Sequence, residues 1–351
     1  MLKRFIGTAM FLAIAAIIAG AQTPPTLTIV TETPGLPSEL FYGSVKVKPV
    51  RLRPGTTTPI TIDDSDFFVQ QHYIDFLRRF PDAPGFAHWN GEITMCSDPA
   101  NRLPNETQAQ CVDRKRTNTS GAFYLSNEFQ ASANFLIRIN WGSLGQGRDA
   151  CNIVVNGTTY PAICNPQYAQ YITDMGTLTQ GIVVNNALVP SQMTANRISF
   201  ANTFVGRTAF ANVYGSLNDT QYVDALAQST GVALTAQERS DLISQAGAPG
   251  SACTGFTGFT SGRACVLYKI VDGTTTDSNG FFVFNTRYGQ AYYNQTFNPV
   301  FVFVQYLGYL RRNPDRDGYD HWLGKLQFYG NFVDAEMVRS FIVSGEYRGR
   351  F

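Results

Sequence analysis

The sequence has few of the features that identify a catalyst or a nucleic-acid-binding protein. Of its 351 residues only three are histidine, and 26 acidic side chains nearly balance 27 basic ones, for a formal net charge of +1. A balanced charge gives no general attraction to nucleic acid or to an anionic membrane surface. Neither a Gly-x-Ser-x-Gly nucleophile motif nor a His-Glu-x-x-His zinc motif occurs. We therefore expect no nucleic-acid partner and find no known catalytic motif.

Long hydrophobic runs are also missing, except for one at the N terminus. There, Lys3 and Arg4 precede an apolar run that ends in the small residues 19–21, which is typical of a secretory signal peptide. A membrane anchor is the alternative, but it needs about 20 continuous apolar residues, and this run is shorter. We expect a signal peptide over residues 1–21 and a mature protein that is secreted or held in the cell envelope.

Six cysteines fall into three neighbouring pairs along the chain, and the members of a pair are 15, 13 and 12 residues apart. In an exported chain they indicate disulfides. Zinc sites favour Cys-x-x-Cys pairs with nearby histidines, and these cysteines have neither. Asn156-Gly157 is a preferred two-residue hairpin turn that would bring the middle pair together. We predict three local bridges, namely Cys96–Cys111, Cys151–Cys164 and Cys253–Cys265.

Residues 22–63 are rich in threonine and proline. Pro49, Pro54 and Pro59 interrupt helices and exclude central strands. We expect an extended arm or linker here, outside the globular body.

From residue 64 onward, apolar side chains recur at helical spacing, and we predict a mainly α-helical repeat body. Short β-hairpins are expected at 152–161 and, as a second candidate, at 266–284. Phe204, Phe210 and Tyr214 stand at helical spacing in what resembles a degenerate middle copy of a repeat, and the pair Thr235 and Glu238 has the spacing of a capping box. The predicted parts of the body are 64–140, 141–285 and 286–351.

One phrase occurs twice in the body. LRRFPDAPGFAHW, residues 77–89, returns as LRRNPDRDGYDHW, residues 310–322, at a shift of 233. A second phrase, AFYLSNEF at 122–129, returns as SFIVSGEY at 340–347, at a shift of 218. The first copy therefore holds 15 more residues, and the loop between the first two cysteines accounts for them.

The two copies are expected to begin with similar helices. Ser65 is a suitable N-cap for the first. The first helix of the second copy is expected to begin with Asn298 as its N-cap and Pro299 at its first helical position.

Each copy has the chemistry of a helix–turn–helix corner. A basic pair suits the negative end of the first helix, a proline stops it, and an aspartate caps the next helix. A tryptophan two turns later would cover the junction, and a glutamate from the second phrase would pair with an arginine. The residues of this structural motif are Arg78, Arg79, Asp82, Gly85, Trp89 and Glu128 in the first copy, and Arg311, Arg312, Asp315, Gly318, Trp322 and Glu346 in the second.

These phrases, with the C-terminal YGNFVDAEMVRSFIVSGEYRGRF from Tyr329, resemble the bacterial domain of unknown function 4214. The resemblance covers about residues 64–351 and is strongest in the two full copies. It implies a helical repeat module on exported or surface-associated bacterial proteins, here of acidobacterial type. It offers no established catalytic residues to carry over.

A calcium site is a weak candidate. Asn313, Asp315 and Asp317 have the opening spacing of an EF-hand loop, but Gly324 stands where the closing glutamate should be. Helix capping explains the aspartates, and we expect no cofactor. For His72, His88 and His321, the last two of which precede the paired tryptophans, a packing role is expected rather than a catalytic one.

Two classes of function remain. The first is an exported, non-catalytic module for binding, attachment or assembly at a surface, with an unknown partner and an unknown oligomeric state. The alternative is a secreted hydrolase with an unrecognised active site. A deep polar cleft that holds histidine or paired carboxylates would favour the hydrolase.

Overall fold

A computed structural model of the chain describes residues 27–30, 39–42, 45–47, 51–53, 55–146, 150–182, 189–277 and 281–351. The predicted signal peptide, residues 1–21, lies outside the described residues. The chain divides into a small N-terminal unit and a large unit that contains the described residues from 51 onward. No helix among the residues described is both long enough and apolar enough to cross a membrane.

The small unit is an antiparallel sheet in the order β1-β2-β3. Its strands are β1 Leu27–Val30, β2 Glu39–Tyr42 and β3 Val45–Val47. Leu27 pairs with Tyr42, and Leu40 pairs with Val47. The threonine- and proline-rich segment thus contains paired strands.

The large unit begins earlier than the sequence predicts. A two-stranded hairpin, β4 Arg51–Leu52 and β5 Pro59–Ile60, belongs to this unit although we assigned it to the arm. The side chain of Ile62 is buried in the core, and Asp63 forms ion pairs with arginines of the helical body. The boundary at residue 63 is therefore wrong, because local composition does not show which residues the core covers.

The large unit is mainly α-helical, as predicted. Its helices are α1 Ser65–His72, α2 Ala83–Thr94, α3 Gln108–Leu125, α4 Asn127–Phe129, α5 Phe135–Leu144, α6 Tyr168–Leu178, α7 Val189–Phe204, α8 Thr208–Tyr214, α9 Asp219–Thr230, α10 Ala236–Ala246, α11 Gly262–Val271, α12 Arg287–Gln305, α13 Arg316–Tyr329, α14 Met337–Val343 and α15 Gly345–Arg348. Short π-helical turns follow α1, α4 and α12.

Two hairpins interrupt the helices. β6 Ala150–Val155 and β7 Thr158–Ile163 join through Asn156-Gly157, whose φ angles of 49° and 78° suit the predicted turn. β8 Thr274–Thr276 pairs with β9 Phe282–Phe284.

The second hairpin is shorter than predicted, because residues 266–271 are helical and belong to α11. Every residue from Ala264 to Val271 is buried, and all of these side chains except Lys269 are hydrophobic. A short apolar run of this kind does not distinguish a buried strand from a buried helix. The hydroxyl of Ser261, which accepts a hydrogen bond from the N–H of Ala264, caps the helix.

The core of the large unit is built around α5 and α11. The two helices pack on each other and on α9 and α12. Aromatic side chains from α1, α3 and α12 complete the core. The core also encloses charged side chains, among them the ion-paired Asp75, Arg138, Arg197 and Asp272.

Two predicted helix starts are corrected. The N-cap of α1 is Asp64, and Ser65 is already helical. α12 begins directly after Thr286, whose hydroxyl caps it, so that Asn298 and Pro299 lie inside the helix. The helix continues through the proline because apolar side chains on both sides of it are buried.

The predicted middle copy is only partly regular. Phe204 ends α7, whereas Phe210 and Tyr214 lie on α8, so these three buried side chains do not share one helix. Thr235 and Glu238 form the expected capping box at the start of α10.

The three disulfides have the predicted pairing, Cys96–Cys111, Cys151–Cys164 and Cys253–Cys265. Each closes a short loop on the surface of the helical body, which restricts the unfolded chain.

Candidate functional site

The first corner is centred on Arg79. Its Nε lies 2.7 Å from Oε1 of Glu128, and its Nη1 lies 3.4 Å from Oδ2 of Asp82. The guanidinium also covers the ring of Tyr73 at 4.7 Å. Asp82 caps α2 by accepting a hydrogen bond of 2.9 Å from the N–H of Gly85. Arg79 therefore joins the end of the first helix to Asp82 at the start of α2 and to Glu128 on α4.

The second corner repeats this geometry. The Nε of Arg312 lies 2.6 Å from Oε1 of Glu346, and Nη1 lies 3.4 Å from Oδ2 of Asp315. The guanidinium lies 5.3 Å from the ring centre of Tyr306. Asp315 accepts a hydrogen bond of 2.8 Å from the N–H of Gly318.

A cavity of about 170 Å³ lies at the second corner. Its charged lining residues, Arg312, Asp315 and Glu346, are paired with one another and bind the corner together. The principal lining residues are Tyr306, Arg312, Asp315, Trp322, Phe341 and Glu346.

The remaining arginine of each pair lies at the end of the first helix, where the sequence places it. Arg78 and Arg311 are the residues at which the first helix of each copy ends, and both have left-handed backbone angles, with φ of 58° and 53°. Such angles are uncommon outside glycine. They turn the chain sharply toward the next helix before the proline is reached.

The repeated glycine is explained by the repeated tyrosine. A Cβ atom on Gly85 would overlap the hydroxyl of Tyr73, and a Cβ atom on Gly318 would overlap the hydroxyl of Tyr306. The second helix can approach the first this closely only with glycine at that position.

The repeated tryptophans are half-buried. The ring of Trp89 lies 5.6 Å from that of Phe123, and the ring of Trp322 lies 5.9 Å from that of Phe341. Both indoles cover the junction from outside.

Asn313 holds the β6–β7 hairpin against the second corner. Its side-chain amide donates hydrogen bonds of 2.9 Å to the carbonyls of Ile163 and Pro166, and its oxygen accepts one of 2.8 Å from the N–H of Tyr168. Asn313 is only 5% exposed. Its side chain is thus fully used by the fold.

Asp315 and Asp317, the other two residues of the calcium candidate, have roles of their own and do not form a site with Asn313. Asp315 caps α13, and Asp317 is exposed on the first turn of the same helix. Within the ranges that the structure describes, no group of three or more His, Cys, Asp or Glu side chains is placed to hold a metal ion.

The histidines lie in two kinds of environment. His72 is buried, its Nδ1 donates to the carbonyl of Phe68 at 2.8 Å, and its Nε2 is 2.5 Å from the hydroxyl of Ser120. Burial lowers the pKa of His72 to about 4, so the imidazole is neutral and Nε2 accepts from the serine. His88 and His321 are exposed next to the paired tryptophans.

Two buried aspartates were missed by the sequence analysis. Asp272 is fully buried, and its two oxygens lie 2.7 Å from Arg138 and 2.6 Å from Arg197. Asp75 pairs with Arg311 and Arg350, each at 2.9 Å. These partners are distant in sequence, and a single sequence holds no local signal for them.

A second cavity, of about 430 Å³, was also not foreseen. It lies between α10, α11 and the first turn of α12. Among its lining residues are Glu238, Asp241, Gln245, Thr254, Lys269 and Tyr288. Lys269 is the only charged residue among these that is buried, at 9% exposure. A lysine within a predicted strand had given no reason to single it out.

Comparison with known proteins identifies one part of the chain. Searches of the curated proteins and of the solved structures find no match. The model of the family described as Domain of unknown function (DUF4214) matches residues 280–351. This segment comprises α12–α15 together with β9. The resemblance expected over about 64–351 is thus found by the family model over residues 280–351 alone, as one copy.

Proposed function

We propose that the protein is exported and acts by binding, without catalysis, and that the first corner is the surface that binds its partner. One observation supports this proposal. The two corners share their internal geometry. At the second corner, Asn313 is covered by the protein's own β6–β7 hairpin. At the first corner, the corresponding residue is Phe80, and it is 71% exposed.

The two corners also differ in the hydrogen bonds that their backbone carbonyls accept. At the second corner the carbonyl of Pro314 accepts a hydrogen bond of 3.0 Å from the N–H of Ile163, and Ala162 forms an antiparallel bridge with Asp315. At the first corner the carbonyl of Pro81 accepts no hydrogen bond from any residue that the structure describes. An open backbone acceptor beside an exposed apolar side chain is suited to the addition of a strand.

The proposed occupant is an extended segment of another polypeptide. At the second corner Asn313 holds the hairpin with polar contacts, whereas Phe80 at the first offers an apolar ring. We therefore infer that the segment supplies a backbone N–H to Pro81 and an apolar side chain to Phe80. The net charge of +1 fits a contact made through apolar area and backbone hydrogen bonds rather than charge steering.

The absence of catalysis is supported by what the repeated polar residues do. Arg79, Asp82 and Glu128 are used by the corner itself. The alternative, a secreted hydrolase, would gain support from a nucleophile and base in a cleft. The contact between Ser120 and His72 has those residue types, but it lies in the core among aromatic side chains.

The proposal is tested by photocrosslinking in cells that produce the protein. Phe80 is replaced by p-benzoylphenylalanine, and Phe281, which is 58% exposed, is replaced in the same way as a control. We expect an adduct with one partner at position 80 and none with that partner at position 281. Mass spectrometry should place the adduct on a segment with an apolar side chain. In parallel, purified protein is assayed on glycan, peptide and ester substrates, and we expect no turnover.

Two results would contradict the proposal. One is an adduct pattern that is the same at both positions, or empty at position 80. The other is turnover of any substrate that a single substitution at His72, His88 or His321 abolishes in a protein that remains folded.

A further inference from the structure

The cavity between α10, α11 and α12 shares no lining residue with the corner cavity and plays no part in the proposed partner binding. The disulfide Cys253–Cys265 joins the loop on one side of it to α11. Its volume of about 430 Å³ is in the range of small-molecule sites. The cavity is thus large enough for a ligand and is built on fixed elements.

Lys269 supplies a positive charge to this cavity. The residue is 9% exposed, and its ammonium group makes no hydrogen bond or ion pair with any residue in the described part of the chain. Its nearest aromatic neighbour is Phe256, whose ring centre is 5.9 Å away. Burial lowers the pKa of Lys269, and the charge of Asp241 opposes this shift. The side chain is mostly enclosed, but its ammonium group is not among the fully buried atoms, so it remains accessible from the cavity and can bind an anion there.

Tyr288 supplies a second donor. It is 8% exposed and lines the same cavity. Its hydroxyl has no hydrogen-bond partner among the described residues. Burial raises the pKa of Tyr288 to about 12, so the hydroxyl keeps its proton at neutral pH and can donate it.

Two further polar residues of the cavity already have partners. The amide of Gln245 donates to the carbonyl of Ala252 and accepts from the N–H of Thr254. The carboxylate of Glu238 pairs with Arg287 at 2.6 Å, so this charge is compensated. Ser244 and Thr254 are exposed, so the donors of the enclosed part are Lys269 and Tyr288, one of them a cation.

We propose that this cavity binds the carboxylate group of a small organic molecule, with Lys269 and Tyr288 donating hydrogen bonds to its oxygens. A carboxylate supplies both the negative charge that Lys269 lacks and acceptors for the two donors. Asp241, exposed at the side of the cavity, disfavours a dianion. The carboxylate belongs either to a free acid or to the C terminus of a peptide.

The test is a calorimetric titration of the purified protein at constant ionic strength. The probes are butyrate and phenylacetate, with the corresponding amides as controls, and an N-acetylated dipeptide with its C-terminal amide. We expect saturable binding of at least one carboxylate and none of its amide. Lys269→Met should weaken this binding about tenfold or more, and Tyr288→Phe should weaken it severalfold. Binding of the dipeptide in preference to the free acids would identify a peptide C terminus as the source.

The matched control is Lys325→Met, since Lys325 lies against Trp322 away from this cavity. It should leave the affinity unchanged. Circular dichroism shows whether each variant is folded, and Tyr288→Phe tests the same site if Lys269→Met does not fold. The proposal is wrong if none of the acids binds saturably, or if both substitutions leave the affinity as it is.

Discussion

Arg311 of the second copy reaches Asp75 of the first, and its Nη2 lies 2.9 Å from Oδ1 of that aspartate. Arg350, near the C terminus, approaches the same carboxylate at 2.9 Å. The shift of 233 residues places Gly308 opposite Asp75, so the second copy has no carboxylate there. A Cβ atom on Gly308 would overlap the ring of Phe76. The two copies are therefore joined by one asymmetric ion-pair cluster.

Replacing Asp75 by Asn should destabilise the protein by about 3 kcal/mol, because the two arginines lose the carboxylate that compensates them. Burial raises the pKa of Asp75, but the attraction of Arg350 and Arg311 outweighs it and leaves the pKa below its usual value. Equilibrium unfolding in urea measures the change. Asp224→Asn is the control, since the pair of Asp224 with Arg239 is exposed, and it should cost less than about 1 kcal/mol. Equal losses in the two variants would show that the cluster at Asp75 contributes no more than a surface pair.

Stability should fall as the pH decreases from about 6.5 to about 4 because of His72. Burial lowers the pKa of His72 to about 4 in the folded protein, whereas the unfolded chain has the usual value near 6.5. In that range the unfolded chain binds the proton and the folded protein does not, so acid favours unfolding, by about 3 kcal/mol over the whole range.

The measurement is the free energy of unfolding at several pH values for the wild type and for His72→Gln. The glutamine cannot be protonated, so this part of the pH dependence should disappear, while the contributions of the carboxylates remain in both proteins. His88→Gln, at an exposed position, should keep the slope of the wild type. A slope that persists in His72→Gln would contradict the assignment.

Gly318→Ala should destabilise the protein by about 1 to 3 kcal/mol, because the added methyl group overlaps the hydroxyl of Tyr306. In a Tyr306→Phe background the loss should be smaller, since the nearer of two overlapping atoms is gone and only Oδ1 of Asp315, at 2.6 Å, remains. Gly324→Ala lies on the same helix with nothing within 4 Å of the new methyl group, and it should stabilise by about 0.5 to 1 kcal/mol. Thermal unfolding of the wild type, the three single variants and the double variant compares them directly. The same sign for both alanine variants would disprove the steric explanation.

Trp322→Ala should cost about 2 kcal/mol, less than the roughly 3 to 5 kcal/mol of a fully buried indole, because Trp322 is half-buried at the second corner. Trp141, which is 4% exposed, provides the comparison, and Trp141→Ala should cost the larger amount. Chemical denaturation of both variants measures the difference. An unchanged midpoint for Trp322→Ala would show that the indole does not stabilise the corner.

Local chemistry made much of the corner predictable. Proline, aspartate and glycine at fixed spacing define the end of one helix and the cap of the next, and both caps, at Asp82 and Asp315, have this geometry. The hairpin at Asn156 was likewise fixed by its turn. The start of α12 could not be predicted from local chemistry. Pro299 lies inside this helix, and a proline is tolerated there only when packing on both sides holds it in place.

The groups that the sequence did not reveal are those whose partners are far away along the chain. Asp272 reaches Arg138 over 134 residues, and Lys269 is unusual because it is mostly buried without an ion pair to any residue that the structure describes. Neither property leaves a trace in neighbouring residues.

The sequence by itself determined the helical class, the three disulfides and the repeated corner, because periodicity, cysteine spacing and capping act over a few residues. Only the tertiary structure decided that the two corners differ, with Asn313 covered by a hairpin and Phe80 exposed. It also decided which charges are buried in pairs, such as Asp272 with Arg138 and Arg197. Burial and long-range pairing depend on how the helices pack, and that information is distributed over the whole chain.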